Sequence, residues 1–132
     1  MRDGFVKVAA ATLDTKVADV EHNKQEILRL IDETVEKGAK IVVFPELCIT
    51  GYTCGDLFSQ DILLKESAKA LEEIASYTDG KDGLFFVGLP YVVQNKIYNV
   101  AAAVCGGKVL GMVTKTFLPN YSEFYEMRQF QI

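Results

Sequence analysis

The sequence predicts an α/β fold with a mixed sheet, on three observations. A strand–helix–strand pattern fills residues 5–44, a second amphipathic helix follows, and two apolar runs flank Gly106-Gly107. The first pattern calls for parallel pairing and the last for an antiparallel hairpin. At 132 residues the chain fits one domain with room for a sizeable core.

Taken in order, "FVKVAAATL" (5–13) reads as a buried strand. From about Val17 to Lys37, apolar residues at 17, 20, 27, 28, 31 and 35 mark one face of an amphipathic helix, with Gly38 as its C′ residue. "AKIVVF" (39–44) is a short β-branched run with the look of a strand buried on both faces. Residues 45–60 carry Pro and Gly and form a loop at that strand's C-terminal end. "SQDILLKESAKALEEIASYT" (59–78) is a second helix, with Ile62, Leu63, Ala70, Leu71, Ile74 and Ala75 as its apolar face. After the turn "TDGKDG", "LFFVGLPYVV" (84–93) reads as a strand broken at Gly88 and Pro90. "KIYNVAAAVC" (96–105) and "KVLGMVT" (108–114) form the hairpin around Gly106-Gly107. The tail after Thr114 loses periodicity and gathers aromatics and charges, and its end at Ile132 without a cap or closing strand suggests a truncated domain.

Composition excludes several function classes. A net charge of −4 and a pI near 5.0 argue against a nucleic-acid partner, whose electrostatic footprint is basic. No apolar run approaches the ~20 residues needed to span a bilayer, and Lys7 interrupts any signal-like stretch at the N-terminus. Cys48, Cys54 and Cys105 show no CxxC spacing, and their odd number suits reduced thiols in a cytoplasm. The single histidine, His22, reads as part of a solvated helix face, so a His triad or a His/Cys zinc site lacks material, and no metal is expected.

Two charged residues stand at strand ends. Glu46 follows Pro45 at the end of "AKIVVF", where open α/β sheets collect ligands. A Glu in such a loop is ordinarily exposed. A half-apolar pocket would instead poise it as a general base, because desolvation disfavours the charged form. Lys115 ends "VLGMVT" and opens an aromatic-rich loop. A cation near Glu46 would offset the carboxylate's burial and could hold a developing oxyanion. The cysteines have no helix N-terminus after them and no evident cation, and read as packing residues.

"AKIVVFPELCITGY" and "VLGMVTKTFLPNYSEFYEMRQF" resemble the two signatures of the carbon–nitrogen hydrolase (nitrilase) superfamily. "GYTCGDLF" (51–58) and "LPNYSEFYE" (118–126) narrow the resemblance to the N-terminal glutaminase domains of glutamine-dependent NAD synthetases. The resemblance implies a Glu-Lys-Cys site on a four-layer α-β-β-α sandwich, of which residues 1–132 would be the N-terminal part. Glu46 matches the general base and Lys115 the oxyanion-binding lysine, while Tyr121 matches an aromatic of the glutamine pocket and Tyr52 its mouth. Glu123 and Glu126 compete as the second acid of the site. The nucleophilic cysteine of such enzymes lies tens of residues beyond the lysine, so this chain alone is expected to be inactive.

The resemblance further implies glutamine as substrate and ammonia as product, passed to a C-terminal synthetase domain of the same chain. That domain would use ATP with Mg and deamido-NAD; no cofactor is implied for the part in hand. A cytoplasmic setting and a homo-oligomer are expected, since half a sandwich leaves sheet edges and a face uncovered. A stand-alone amidase and a non-catalytic binding or assembly module with the same fold remain the alternatives.

Overall fold

The computed structural model describes residues 3–120 and 126–132. In chain order the elements are β1 (Val8–Ala10), α1 (Val20–Glu36), β2 (Ile41–Val43), a 3-10 turn (Gly55–Ser59), α2 (Asp61–Tyr77), β3 (Leu84–Val93), β4 (Lys96–Cys105), β5 (Lys108–Thr114) and α3 (Glu126–Gln129). Among the described residues the strands form one sheet ordered β1-β2-β3-β4-β5. β1, β2 and β3 pair in parallel, and β3, β4 and β5 form an antiparallel meander. No helix among the described residues is long and apolar enough to cross a membrane.

Helix α1 starts where Asp19 Oδ1 accepts a hydrogen bond from His22 N at 3.0 Å, satisfying a donor the helix itself cannot. It stops at Gly38, whose φ of +84° closes the helix C-terminus. Its buried face is Val20, Asn23, Lys24, Ile27, Ile31 and Thr34, in helical spacing. Val17 lies before the helix and is exposed. His22 is half-buried rather than solvated, and its Nε2 donates to Asp14 O at 2.7 Å. Helix α2 buries Leu63, Ser67, Ala70, Leu71, Ile74 and Ala75. Ile62, expected on that face, is exposed, because one residue before Leu63 lies about 100° around the helix. Lys24 joins the two helices: it pairs with Glu21 and Glu73, and these bonds hold its ammonium above the usual lysine range.

The strands alternate. Val42, Phe85, Val87 and Val104 are essentially sealed in one core with Ile27, Ile31 and Ile74. The neighbouring positions face the other way, and Val43 (48% exposed) and Val113 (73%) are open. The expectation that β2 is buried on both faces is corrected: among the described residues the helices cover the face that carries Val42, and the face that carries Val43 stays open. β1 is likewise short and mostly exposed: it is the edge strand, so alternate residues face the uncovered side. One helix layer and one sheet layer are thus in place, the expected half of a four-layer sandwich.

β3 runs unbroken through Gly88 and Pro90, which corrects the expected interruption. A strand residue's N–H and C=O point to the same side. Asn99, opposite Pro90, turns its carbonyl to β5, accepting from Lys115 N at 2.8 Å. The Pro90–Asn99 pair is therefore a non-hydrogen-bonded one, where a proline removes no ladder bond. The β3–β4 turn is Gln94-Asn95, with φ of +50° and +63°, a left-handed pair that sequence reading passed over.

Candidate active site

The loop after β2 is not a solvated connection: Leu47, Cys48, Ile49 and Thr50 are all buried. Leu47 adopts φ +51°, a costly conformation for a branched residue. Two turn bonds hold it, from Gly51 N (2.7 Å) and Thr50 N (3.2 Å) to Leu47 O. The loop is tied down from both sides. Ile49 N donates to Gly88 O at 3.1 Å, and the buried Asn23 of α1 donates to Ile49 O at 3.0 Å while bridging the backbone of Lys16. Gly88 lies directly beneath: a Cβ there would sit 2.4 Å from Leu47 N. This scaffold fixes the backbone from which Glu46 projects.

Glu46, Lys115 and Asn99 meet at the C-terminal end of β2, on the open side of the sheet. Lys115 Nζ donates to Glu46 Oε1 at 2.7 Å, and Asn99 Nδ2 donates to the same oxygen at 2.6 Å. The site lines a cavity of about 300 Å³ with Val43, Phe86, Gly88, Ala101 and Val113 as its apolar floor. The Glu46 side chain retains 43% exposure, so the carboxylate is paired rather than enclosed. An ion pair this exposed adds only about 0–1 kcal/mol to stability. Its placement at a strand end beside a cavity makes it the candidate site among the described residues.

Lys115 has a second partner, Glu126 Oε1 at 2.9 Å. Burial pulls the lysine's proton affinity down, but the bonds to Glu46 and Glu126 outweigh it and hold the ammonium above its usual range. Glu126 is 4% exposed and also accepts from Tyr52 Oη at 2.7 Å. It is delivered by α3, whose position rests on Phe130: that ring is buried against Phe58, with centroids 4.9 Å apart. Gln131 N donating to Ile97 O pins the same segment beside β4. Tyr52 thus reaches Lys115 through one carboxylate, and lines a neighbouring cavity of about 330 Å³ with Asp56, Arg128 and Phe130.

Sequence reasoning placed Glu46 and Lys115 together, and the structure brings them within one hydrogen bond. Of the two competing acids, Glu126 meets Lys115; Glu123 and the pocket residue Tyr121 lie outside the described residues. Asn99 was missed. The available signal was a lone amide inside the apolar run "IYNVAAAV", level with Lys115 on the next strand. Cys48 and Cys54 are buried in the core, as packing residues are, and burial pushes the Cys48 thiol up to about 12 and raises Cys54 as well.

Comparison with known proteins gives a consistent picture. The carbon-nitrogen hydrolase family matches residues 7–128. A glutamine-dependent NAD(+) synthetase of Aquifex aeolicus is 44% identical over 127 residues, which are 96% of this chain and 22% of that protein. The synthetase of Mycobacterium bovis is 39% identical over 126 residues, 96% of this chain and 19% of its own length. This chain therefore spans about a fifth of these relatives. The crystal structure of a glutamine-dependent NAD(+) synthetase from Cytophaga hutchinsonii superimposes with a TM-score of 0.90 at 34% identity, covering 96% of this chain and 21% of that one. A double mutant of the amidase from Nesterenkonia sp. AN1, in complex with acrylamide, shares the fold with a TM-score of 0.81 at 20% identity, covering 99% and 49% of the two chains.

Proposed function

Because this chain belongs to the carbon–nitrogen hydrolase family, we propose that it is the N-terminal part of a glutaminase domain. That domain would release ammonia from glutamine for the ATP-dependent amidation of deamido-NAD to NAD. The observation that carries the reading is the Glu46–Lys115–Glu126 cluster at the mouth of an open cavity, in a chain so similar to glutamine-dependent NAD synthetases.

The geometry suits acyl transfer. A cysteine supplied by sequence beyond these residues attacks the side-chain amide carbon of glutamine, and Glu46 takes the thiol proton. Lys115, held charged by two carboxylates, donates to the oxyanion of the tetrahedral intermediate. Glu46 returns the proton to the leaving ammonia, then draws a proton from the water that hydrolyses the thioester, and glutamate leaves. Tyr52 and Glu126 orient the ammonium, and the family resemblance assigns Tyr121 to recognition of the amide. The synthetase domain of the same polypeptide would hold ATP with Mg and deamido-NAD. The reading brings with it a cytoplasmic setting and a homo-oligomer.

The test uses the full-length protein encoded by the gene. Glu46→Gln keeps the shape but removes the base; Lys115→Ala removes the cation, an effect of several kcal/mol on the transition state. Both should abolish glutamine-supported NAD formation and leave ammonium-supported formation intact. Equal loss with both nitrogen sources would overturn the assignment. Hydrolysis of some other amide with no NAD formation would move it to a stand-alone amidase. The 132 residues alone should release no glutamate from glutamine; release lost on Cys48→Ala or Cys54→Ala would show that the nucleophile lies within them.

A further inference from the structure

We propose that Asn99 is a positioning residue that dictates which oxygen of Glu46 carries the proton in catalysis; the catalytic part of this statement rests on the amide-hydrolase reading above. Asn99 is 3% exposed, in the middle of β4. A buried amide is tolerated only where it is hydrogen-bonded, and its Nδ2 is given to Glu46 Oε1 at 2.6 Å. Its main chain meanwhile accepts from Lys115 N at 2.8 Å. One residue therefore clamps both members of the pair, the lysine by its backbone and the glutamate by its side chain.

The clamp is asymmetric. Asn99 Nδ2 and Lys115 Nζ both converge on Oε1, and Oε2 takes part in neither bond. A carboxylate oxygen that accepts two strong donors is the poorer proton acceptor, because each bond stabilises its charge. Oε2 is then the oxygen that receives the proton from the nucleophile and hands it to the leaving group. Lysine alone would not enforce this choice: its ammonium sits on a flexible stem with three rotatable donors. The amide of Asn99 is planar, buried and carried by the central part of a strand. It holds the carboxylate plane in one orientation while Lys115 turns to the oxyanion.

Two variants of the full-length protein test the idea. Asn99→Leu is close in shape and removes the donor; Asn99→Asp keeps the shape and sets an acceptor against Oε1. With glutamine as nitrogen source, both should lower kcat on the order of 10–100-fold, the size expected for a misaligned reacting group. KM should stay within about threefold, because the amide acts on the reacting carboxylate rather than on substrate binding. Ammonium-supported NAD formation should be unchanged, which reports an intact fold. Wild-type kcat in both variants, or a loss confined to KM, would overturn the proposal. A crystal structure of either variant decides the same point without any activity. The Glu46 carboxylate should have turned out of the plane it holds beside Asn99; an unmoved carboxylate would overturn the clamp whatever the substrate proves to be.

Discussion

Gly88→Ala is the perturbation that best exposes how the fold holds its glutamate. Gly88 lies in β3 with the Pro45–Leu47 backbone laid across it. An added Cβ would lie 2.4 Å from Leu47 N, 3.0 Å from Pro45 O and 3.1 Å from the Glu46 carbonyl carbon. Ordinary contact begins at 3.4 Å, so the tightest pair alone demands a separation of 3.4 − 2.4 = 1.0 Å. All three neighbours are backbone, so no side chain can swing aside. The loop cannot simply lift, since Ile49 is bonded to Gly88 O and Asn23 holds Ile49 from beneath. Overpacking of this kind costs about 1–3 kcal/mol, and a displacement of about 1 Å at a reacting group costs on the order of 100-fold in rate. Gly111→Ala is the control in the same sheet, since its Cβ would meet nothing within 4 Å. Urea unfolding of the full-length protein should show a lowered midpoint for Gly88→Ala only, with the proposed glutamine-dependent activity lost alongside it. A Gly88→Ala protein matching Gly111→Ala in both midpoint and activity would refute the argument that this glycine seats Glu46.

Further expectations concern the same cluster and the thiols. Tyr52→Phe deprives buried Glu126 of a donor and should lower stability by about 1–3 kcal/mol; an unchanged urea midpoint would contradict it. The folded state raises the affinity of Lys115 for its proton. Its stabilising contribution is therefore complete below the ordinary lysine value of about 10.4 and is lost as pH rises through the higher folded value. The stability gap between wild type and Lys115→Met should thus hold from about pH 8 to about pH 10 and close above that; a gap that widens would reverse the sign. In the native protein a thiol reagent followed by mass spectrometry should modify half-buried Cys105, with Cys48 and Cys54 reacting only on unfolding. Rapid native labelling of Cys48 would contradict its burial.

The helices were legible because one apolar face at helical spacing survives any tertiary context, and because Gly38 punctuates the first of them. The Gly106-Gly107 hairpin was legible for the same local reason: both glycines take positive φ, as a two-residue turn requires. What the sequence hid was non-local. Gly88 and Pro90 look like breakers until β4 shows that Pro90 sits in a non-hydrogen-bonded pair and the β2 loop shows why Gly88 must lack a side chain. Periodicity located β2 but could not say that one of its faces stays uncovered, since Val42 and Val43 are chemically alike. At the site, Glu46 and Lys115 were readable from charge at strand ends. The contact of Glu126 with Lys115 depends on the short helix anchored by Phe130, and Asn99 looked like any polar residue in a strand.

The site's bonds span long stretches of chain. Glu46 is 69 residues from Lys115 and 53 from Asn99, and Tyr52 is 74 from Glu126. By contrast, β3, β4 and β5 are joined by two-residue turns. Closing a long loop carries more entropy loss than closing a short one, and non-local pairings form slowly. The meander is therefore expected to zip up first as a template, with β2 docking on it afterwards and Glu46 reaching its partners last. Mutations in the two turns should then slow refolding, whereas Glu46→Gln should leave the refolding rate untouched and alter only unfolding. The charged cluster would act as the final latch of the folding reaction, so an assembled cluster marks a chain that has already finished folding.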